Sequence, residues 1–563
     1  MKAEFLILFF FYLVSIFSTL GYGLYFQKIT NPTINKKCLG YSGIIGVFFL
    51  TIYSYFSNFF YEHGIHHNLI ILVLGLFLFY LGYTKKLFVD TELKVLLTIF
   101  SILFLSFLVF KTHDDFPYYH FPYAYYLTQH SNFIGIGQFD HGFRTPSSLF
   151  YFNSLFYLPV IKYNLFHIGS AIIYGSSILI LLSNIRKSYE NKRINYHFFF
   201  DLLSLIFIIV FFYRLAEHGT DRSAQILILL IISEIFLVFT LKRIEIYEIS
   251  KLSILFAITI SLKAFYFLYS LLLIPLLIIV LKKSDIKNFL NKIFSSKSFY
   301  FSILLIILVL ITNVFNTGCI IYPLVNSCFT NLDWGIPSKE VEMMALHYEN
   351  WSKAGRTPNF IIDDPGNYVK NFNWVSGWFE RYFFFKFSDF LLGLIFLLFI
   401  FFITFYSKNK VKKKINKEVI YIFFAVIILL LEWFINHPTL RYGGYSLIAI
   451  SFFIPFSLIL ERFKINLPSV KRKTLVIVLI GFAIFFYRNI DRIINEYQKY
   501  DYKVFLNPYY KVEVNYFRYE KRINNLIKNY NTCEINKSLC GKQIEALILK
   551  KKLGKYIIKR KND

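Results

Sequence analysis

Between His113 and Pro159 the chain reads HDDFPYYHFPYAYYLTQHSNFIGIGQFDHGFRTPSSLFYFNSLFYLP. A carboxylate pair, Asp114 and Asp115, opens this stretch directly behind an apolar run ending near Phe110. His120, Asp140, His141 and Arg144 follow among aromatic residues. Ionisable side chains at the mouth of a membrane span need water, a partner or a role. Further along, Asp221 stands in RLAEHGTDRSAQ, Lys263 interrupts the apolar SLKAFYFLY, and Arg441 stands in NHPTLRYGGY. A carboxylate can take the proton of an acceptor hydroxyl. Lys and Arg can hold a phosphate that leaves with negative charge. Tyr and Trp offer stacking faces for sugar rings at a membrane interface. Together these residue types suit transfer of a sugar from a lipid-linked phosphate donor.

The elements that must carry these side chains are membrane helices. The 563 residues are 56% hydrophobic and include 69 Phe and 43 Tyr, with a mean hydropathy of +0.51. Apolar blocks of roughly 15–23 residues recur between Lys-rich turns, the pattern of an all-α polytopic helical membrane protein. Candidate spans are 4–26, 41–60, 68–83, 94–111, 165–183, 198–213, 222–241, 251–262, 264–281, 298–315, 386–406, 419–435, 444–461 and 474–488, or about 13–14 helices at the usual span length. The stretch 147–160 reads as a helix lying in the interface. Residues 251–281 hold two short spans meeting at Lys263, in preference to one kinked helix. The expected organisation is 1–93 as extra N-terminal helices and 94–315 as the membrane core, with its external loop at 112–164. A large external loop at 316–385, C-terminal helices at 386–488 and a small basic tail at 489–563 complete it. That tail shows helical stretches at 515–530 and 541–558 and could form a cap.

Lys and Arg set the orientation. They gather around Lys28–Lys37, Lys85–Lys86, Arg186–Arg193, Lys242–Arg243, Lys282–Lys297, Lys408–Lys417 and Arg462–Lys473, while the alternate short loops are nearly bare. The basic side is expected to be cytoplasmic. The Asp pair then faces the periplasm or the cell exterior from an inner membrane. The same rule accounts for the formal charge of +27 without a nucleic-acid partner, and no base-reading motif accompanies it. Of five cysteines, Cys319 and Cys328 fall in the large loop and Cys533 and Cys540 in the tail. Both segments lie outside in this topology, where disulfides persist, and Cys38 lies alone inside. Five free thiols are the alternative.

The 113–159 stretch resembles the first external loop of GT-C superfamily glycosyltransferases, the group of the protein O-mannosyltransferases and the lipid A aminoarabinose transferase. The likeness rests on Asp114-Asp115, the aromatic run Tyr118 to Leu127, and Arg144-Thr145-Pro146 through Tyr151. Gly219-Thr220-Asp221 is similar to that family's second-loop acid, and Ser261-Leu262-Lys263 to its lysine near the donor phosphate. The segment GCIIYPL at Gly318–Leu324 is similar to one in a set of bacterial membrane proteins with the same loop and paired cysteines. The resemblance implies an enzyme that transfers a sugar from a polyprenyl phosphate to a lipid or glycan acceptor of the cell envelope. It implies Asp114, Asp115 and Asp221 as catalytic and Lys263 and Arg441 on the donor phosphate. His120, Asp140, His141 and Arg144 would serve the acceptor. It admits a divalent metal, Mg or Mn, and equally a metal-free reaction. The acid pair follows the fourth span here, not the first as is usual in that family.

Plainer readings compete for the same residues. Asp114 and Asp115 could be a solvated helix end, Asp221 an N-cap, Lys263 a snorkelling lysine and Arg441 a turn residue. The tryptophans of the large loop could be packing, and His63, His66 and His67 form a cluster with no partner evident in the sequence. Two other functions stay open. A polysaccharide polymerase or O-antigen ligase would rely on Arg356, Arg381 and Arg441. A transporter would place its charges at mid-membrane.

Overall fold

The computed structural model describes residues 3–31, 36–241, 244–283, 286–329, 331–355, 362–411, 417–535, 547–552 and 554–560. The N-terminal helices are α1 (Ala3–Thr30), α2 (Leu39–Phe60), α3 (Ile65–Thr84) and α4 (Asp90–Phe107). Two short helices, α5 (Phe121–Gln129) and α6 (Ser148–Ser154), lie in the following loop. The central bundle is α7 (Ile168–Glu190), α8 (Tyr196–Phe211), α9 (Gly219–Thr240), α10 (Ile246–Leu262), α11 (Leu273–Lys283), α12 (Ile286–Ser295) and α13 (Lys297–Thr317). The large loop holds α14 (Ser338–Lys353), α15 (Pro365–Tyr368) and α16 (Val375–Trp378). Then come α17 (Ser388–Phe405), α18 (Lys417–Asn436), α19 (Tyr445–Leu460), α20 (Leu467–Tyr500) and α21 (Arg518–Ile535). A hairpin of β1 (Leu547–Lys552) and β2 (Lys555–Arg560) follows.

The protein is therefore an all-α polytopic architecture. Eleven helices among the described residues are long and apolar enough to cross a membrane. The three further spans expected at 94–111, 198–213 and 251–262 are helices of 18, 16 and 17 residues. Small residues let the N-terminal helices approach closely. A Cβ at Gly23 would overlap the Ser42 carbonyl, and one at Gly46 the Thr19 carbonyl. The most enclosed helices are α7, α8 and α9, whose apolar residues are buried nearly all round, as a central span in a larger bundle must be.

Within the 147–160 stretch the helix is α6, whose seven residues are all buried in the protein. Three expectations are corrected. The expected span at 474–488 belongs to one 34-residue helix, α20, so the tail begins at Asp501 rather than at 489. Past the membrane stretch α20 continues because its side chains find partners on α4. Arg492 donates to the Leu105 and Leu108 carbonyls at 3.2 and 2.7 Å. The second helical stretch of the tail, 541–558, is a β-hairpin over its described part. Leu547 and Leu549 alternate with more exposed neighbours, a period of two that suits a strand. Gly554, at φ +78°, supplies the left-handed turn. Finally, charge is not confined to one face. Glu234 on α9 and Lys251 on α10 pair at 2.5 Å while fully buried. Nearby Asp201 on α8 accepts Ser233 Oγ at 2.5 Å and meets His197 at 3.2 Å.

The chain does reverse at Lys263. Lys263 is extended, with φ −163° and ψ 139°, between α10 and a 3-10 segment, Ala264–Leu272. Lys292 on α12 then reaches the Ile244 carbonyl at 2.6 Å, so the chain has returned to the end where α10 began. The Lys-rich loops meet at that end. The Lys37 amide donates to the Leu87 carbonyl at 2.7 Å, and the Val411 amide to the Arg462 carbonyl at 2.8 Å. The tail sits at the opposite end, against the 112–164 loop. The Lys511 amide donates to the Phe110 carbonyl at 2.9 Å, and the Ile558 amide to the Ile134 carbonyl at 2.8 Å.

Candidate functional site

At that second end four separate segments deliver charge to one point. Asp115 sits where the loop after α4 enters a single π turn, Phe116–His120. Asp221 lies in the first turn of α9, where the helix dipole favours a carboxylate. Lys263 terminates α10. Arg441 lies in a π turn, Leu440–Gly444, whose Gly443 has φ +95°. The Arg441 guanidinium bridges the two acids: Nη2 donates to Asp115 Oδ2, and Nε to Asp221 Oδ2 at 3.1 Å. Lys263 Nζ donates to the other Asp221 oxygen at 2.7 Å. Two carboxylates thus face two cations. Each side chain remains partly accessible, from 12% for Asp221 to 24% for Asp115 and Lys263.

Asp115, Asp221 and Arg441 line a cleft of about 570 Å³, counting space open to solvent, whose walls also include His113, His120, Arg222, Lys386 and Tyr445. Burial alone would raise the Asp115 carboxyl. The Arg441 charge, aided by Lys263, more than offsets this and holds it well below the usual carboxylate range. Burial pushes His120 down to about 3 against the opposing pull of Asp115 and Asp221, so this imidazole is neutral at pH 7. Its buried Nε2 has no hydrogen-bond partner. The ring lies over Gly219, whose φ is +43° and where a Cβ would come within 2.8 Å of it. A glycine here serves both the left-handed backbone and the close approach.

The expected site residues divide. Asp115, Asp221, Lys263, Arg441 and His120 come together. Asp114 points away, its side chain 89% exposed and 3.8 Å from Lys111. The structure therefore assigns the cleft to Asp115 alone of the pair. Asp140 caps the turn after it by accepting the Gly142 amide at 3.0 Å, and His141 is exposed. Arg144 is buried, donating to Glu340 at 2.6 Å and to the Gly137 carbonyl at 2.9 Å. Its role is to tie the 112–164 loop to α14. Asp221 is not the N-cap, since α9 already begins at Gly219. Cys319 and Cys328 form a disulfide and Cys533 is disulfide-bonded, whereas Cys540, Arg356, Lys242 and Arg243 lie outside the described residues. Cys38 is a free thiol. His63 is buried between Ser57 and Ser154, at 2.9 and 2.7 Å, as a packing residue.

Gln225 and Tyr266 carried no signal in the sequence. Gln225, one turn beyond Asp221, donates to the Arg441 carbonyl at 2.9 Å and accepts the Ser446 amide at 3.1 Å. It braces the turn that presents Arg441. Tyr266 OH donates to the Asp221 carbonyl at 2.9 Å. Trp351 of α14 and Tyr442 both lie against the Arg441 guanidinium, at 5.3 Å. Trp351 is thus the tryptophan of the large loop that covers the charges. Trp374 and Trp378 are buried packing.

Both carboxylates already hold cations that a metal would have to displace. Among the described residues no three His, Cys, Asp or Glu side chains converge as ligands.

Fold and site together define a polytopic helical protein with an ion-paired cleft at one end of its bundle. A family model described as Domain of unknown function (DUF8201) matches residues 5–448, and the chain belongs to this family. No curated protein matches the chain, and no solved structure matches it.

Proposed function

We propose that the protein is a membrane glycosyltransferase that moves a sugar from a polyprenyl-phosphate donor to a lipid or glycan acceptor of the cell envelope. The cleft-bearing end of the bundle would face away from the cytoplasm, since the Lys-rich loops gather at the other end. The observation that carries the reading is the convergence of Asp115, Asp221 and Arg441, the outer two 326 residues apart in sequence, on one cleft with Lys263 paired to Asp221 beside it. Arg441 and Lys263 are the cations that would receive the donor phosphate as its bond to the sugar breaks. A phosphate that draws Arg441 away also deprives Asp115 of its partner. Asp115 then becomes a stronger base, placed to take the proton of the acceptor hydroxyl as that oxygen bonds the sugar carbon. The proton passes from the carboxylate to water. Asp221 keeps both cations in place, and attack opposite the leaving phosphate inverts the sugar centre.

The test is transfer from a radiolabelled polyprenyl-phosphate sugar by membranes containing the protein. Asp115→Asn should lower transfer by ~10²–10⁴-fold, the range for a lost general base, while Asp114→Asn should leave it near wild type. Full transfer by Asp115→Asn would remove the assignment.

A second reading, a multi-span transporter, draws on one observation. Glu234, Lys251 and Asp201 are ionisable groups buried inside the bundle, a pattern often tied to ion pathways.

A further inference from the structure

The turn that carries Asp115 and His120 cannot satisfy its own backbone. In a π turn each carbonyl takes the amide five residues on, and in an α-helix the amide four residues on. The Phe121 amide closes the π turn by donating to the Phe116 carbonyl. The next amide would belong to Pro122, which has none. In the π register this strips the Pro117 carbonyl of its donor, and in the α register the Tyr118 carbonyl. A carbonyl that loses its helical donor takes another, from water or from a side chain. Both are met from the far end of the chain. Arg518, the first residue of α21, donates from Nη1 to the Pro117 carbonyl at 2.9 Å and from Nη2 to the Tyr118 carbonyl. Its guanidinium also lies over the Tyr118 ring at 5.5 Å.

Other contacts hold the same short stretch from the same direction. The Lys511 amide donates to the Phe110 carbonyl at 2.9 Å, and Glu496 of α20 accepts the Phe110 amide at 3.0 Å. The Tyr510 ring packs edge-on against Phe116 at 5.3 Å. These contacts bracket Asp115, whose own carboxylate faces the other way, toward Arg441. The chain beyond α20 is thus the wall on which the acid-bearing turn is mounted.

We propose that Arg518 is a positioning residue: it replaces the amide missing at Pro122 and thereby sets the turn that aims Asp115 and His120 into the cleft. This rests on the reading of Asp115 as the acid of the transfer reaction, but the hydrogen-bond replacement can be tested without it. The full-length protein in lipid nanodiscs is compared as wild type, Arg518→Gln, Pro122→Ala and the double variant, each checked for yield and melting temperature. Two signals are read: amide hydrogen exchange over residues 113–121, and transfer activity. Arg518→Gln should speed exchange in that segment at least ~10-fold, the mark of local opening, and lower transfer to a similar degree. Adding Pro122→Ala restores an internal donor and should return both signals toward wild type, a rescue that general destabilisation would not show. Unchanged exchange over 113–121 in Arg518→Gln, or no recovery in the double variant, overturns the inference. Asp115→Asn with full transfer would instead remove the catalytic reading and leave the exchange result standing.

Discussion

Arg441 holds two acids at once, and its removal would act on each differently. Asp221 keeps Lys263 as a partner, whereas Asp115 loses its main counter-charge. Burial then acts on Asp115 with little opposition and its pKa rises. Arg441→Gln should therefore bring an acid limb into the pH–transfer profile that the wild type lacks near neutrality. The measurement is the rate of transfer between pH 5 and 8. His120 makes a separate prediction for stability. Its pKa is depressed on folding from 6.5 to about 3, so the unfolded chain binds the proton first. The stabilising effect of its neutral form is complete above about pH 6.5 and is lost as pH falls toward 3. His120→Gln should flatten the fall of melting temperature between pH 6.5 and 4. At this scale the sequence was legible where a residue's type was wrong for its surroundings, as with Lys263 in an apolar run. It was silent where type and surroundings agree. Gln225 and Tyr266 look ordinary in a helix, and only the fold makes them braces. Asp114 and Asp115 are indistinguishable as letters. The backbone alone sends one to solvent and the other to Arg441.

Helix pair α9–α10 is fastened twice. Asp221 meets Lys263 at the cleft end, and Glu234 meets Lys251 about 20 Å further along α9, at about 1.5 Å per residue. The inner pair has Tyr41 donating to Glu234 and the rings of Tyr41 and Tyr247 beneath Lys251, at 5.0 and 4.8 Å. A buried pair is costly to break by halves and cheap to replace whole. Glu234→Ala should cost ~3–5 kcal/mol through the stranded ammonium. Glu234→Met with Lys251→Met should recover most of it, measured as thermal stability in detergent. Failure of the double variant, with transport of a cation lost alongside, would favour the transporter reading. Helix existence was readable from hydropathy for every expected span. Helix length was not: α20 outruns its apolar stretch where Arg492 reaches the carbonyls at the end of α4 and Glu496 accepts the Phe110 amide, partners no local window contains. The terminal hairpin was misread as helix because its Lys-rich pattern fits both periods until Ile134 supplies an edge.

In the whole molecule the two ends of the bundle differ in chemistry, and this gives the topology a direct test. Val160→Cys and Val514→Cys, both strongly exposed, should react with an impermeant maleimide in intact cells. Lys187→Cys, at the Lys-rich end, should react only after permeabilisation. Labelling of Val160→Cys and Val514→Cys from opposite sides would contradict the packing of tail on loop. Arg518 and its carbonyl partner on Pro117 are separated by 401 residues, and that interval has a meaning in time. A ribosome adding ~5–20 residues per second needs about 20–80 s to cover it. For that period the nascent protein already exposes its aspartate loop while the residue that shapes it has yet to be made. Competence would thus wait for the segment around Arg518, so a product truncated or stalled before it would be inserted but idle.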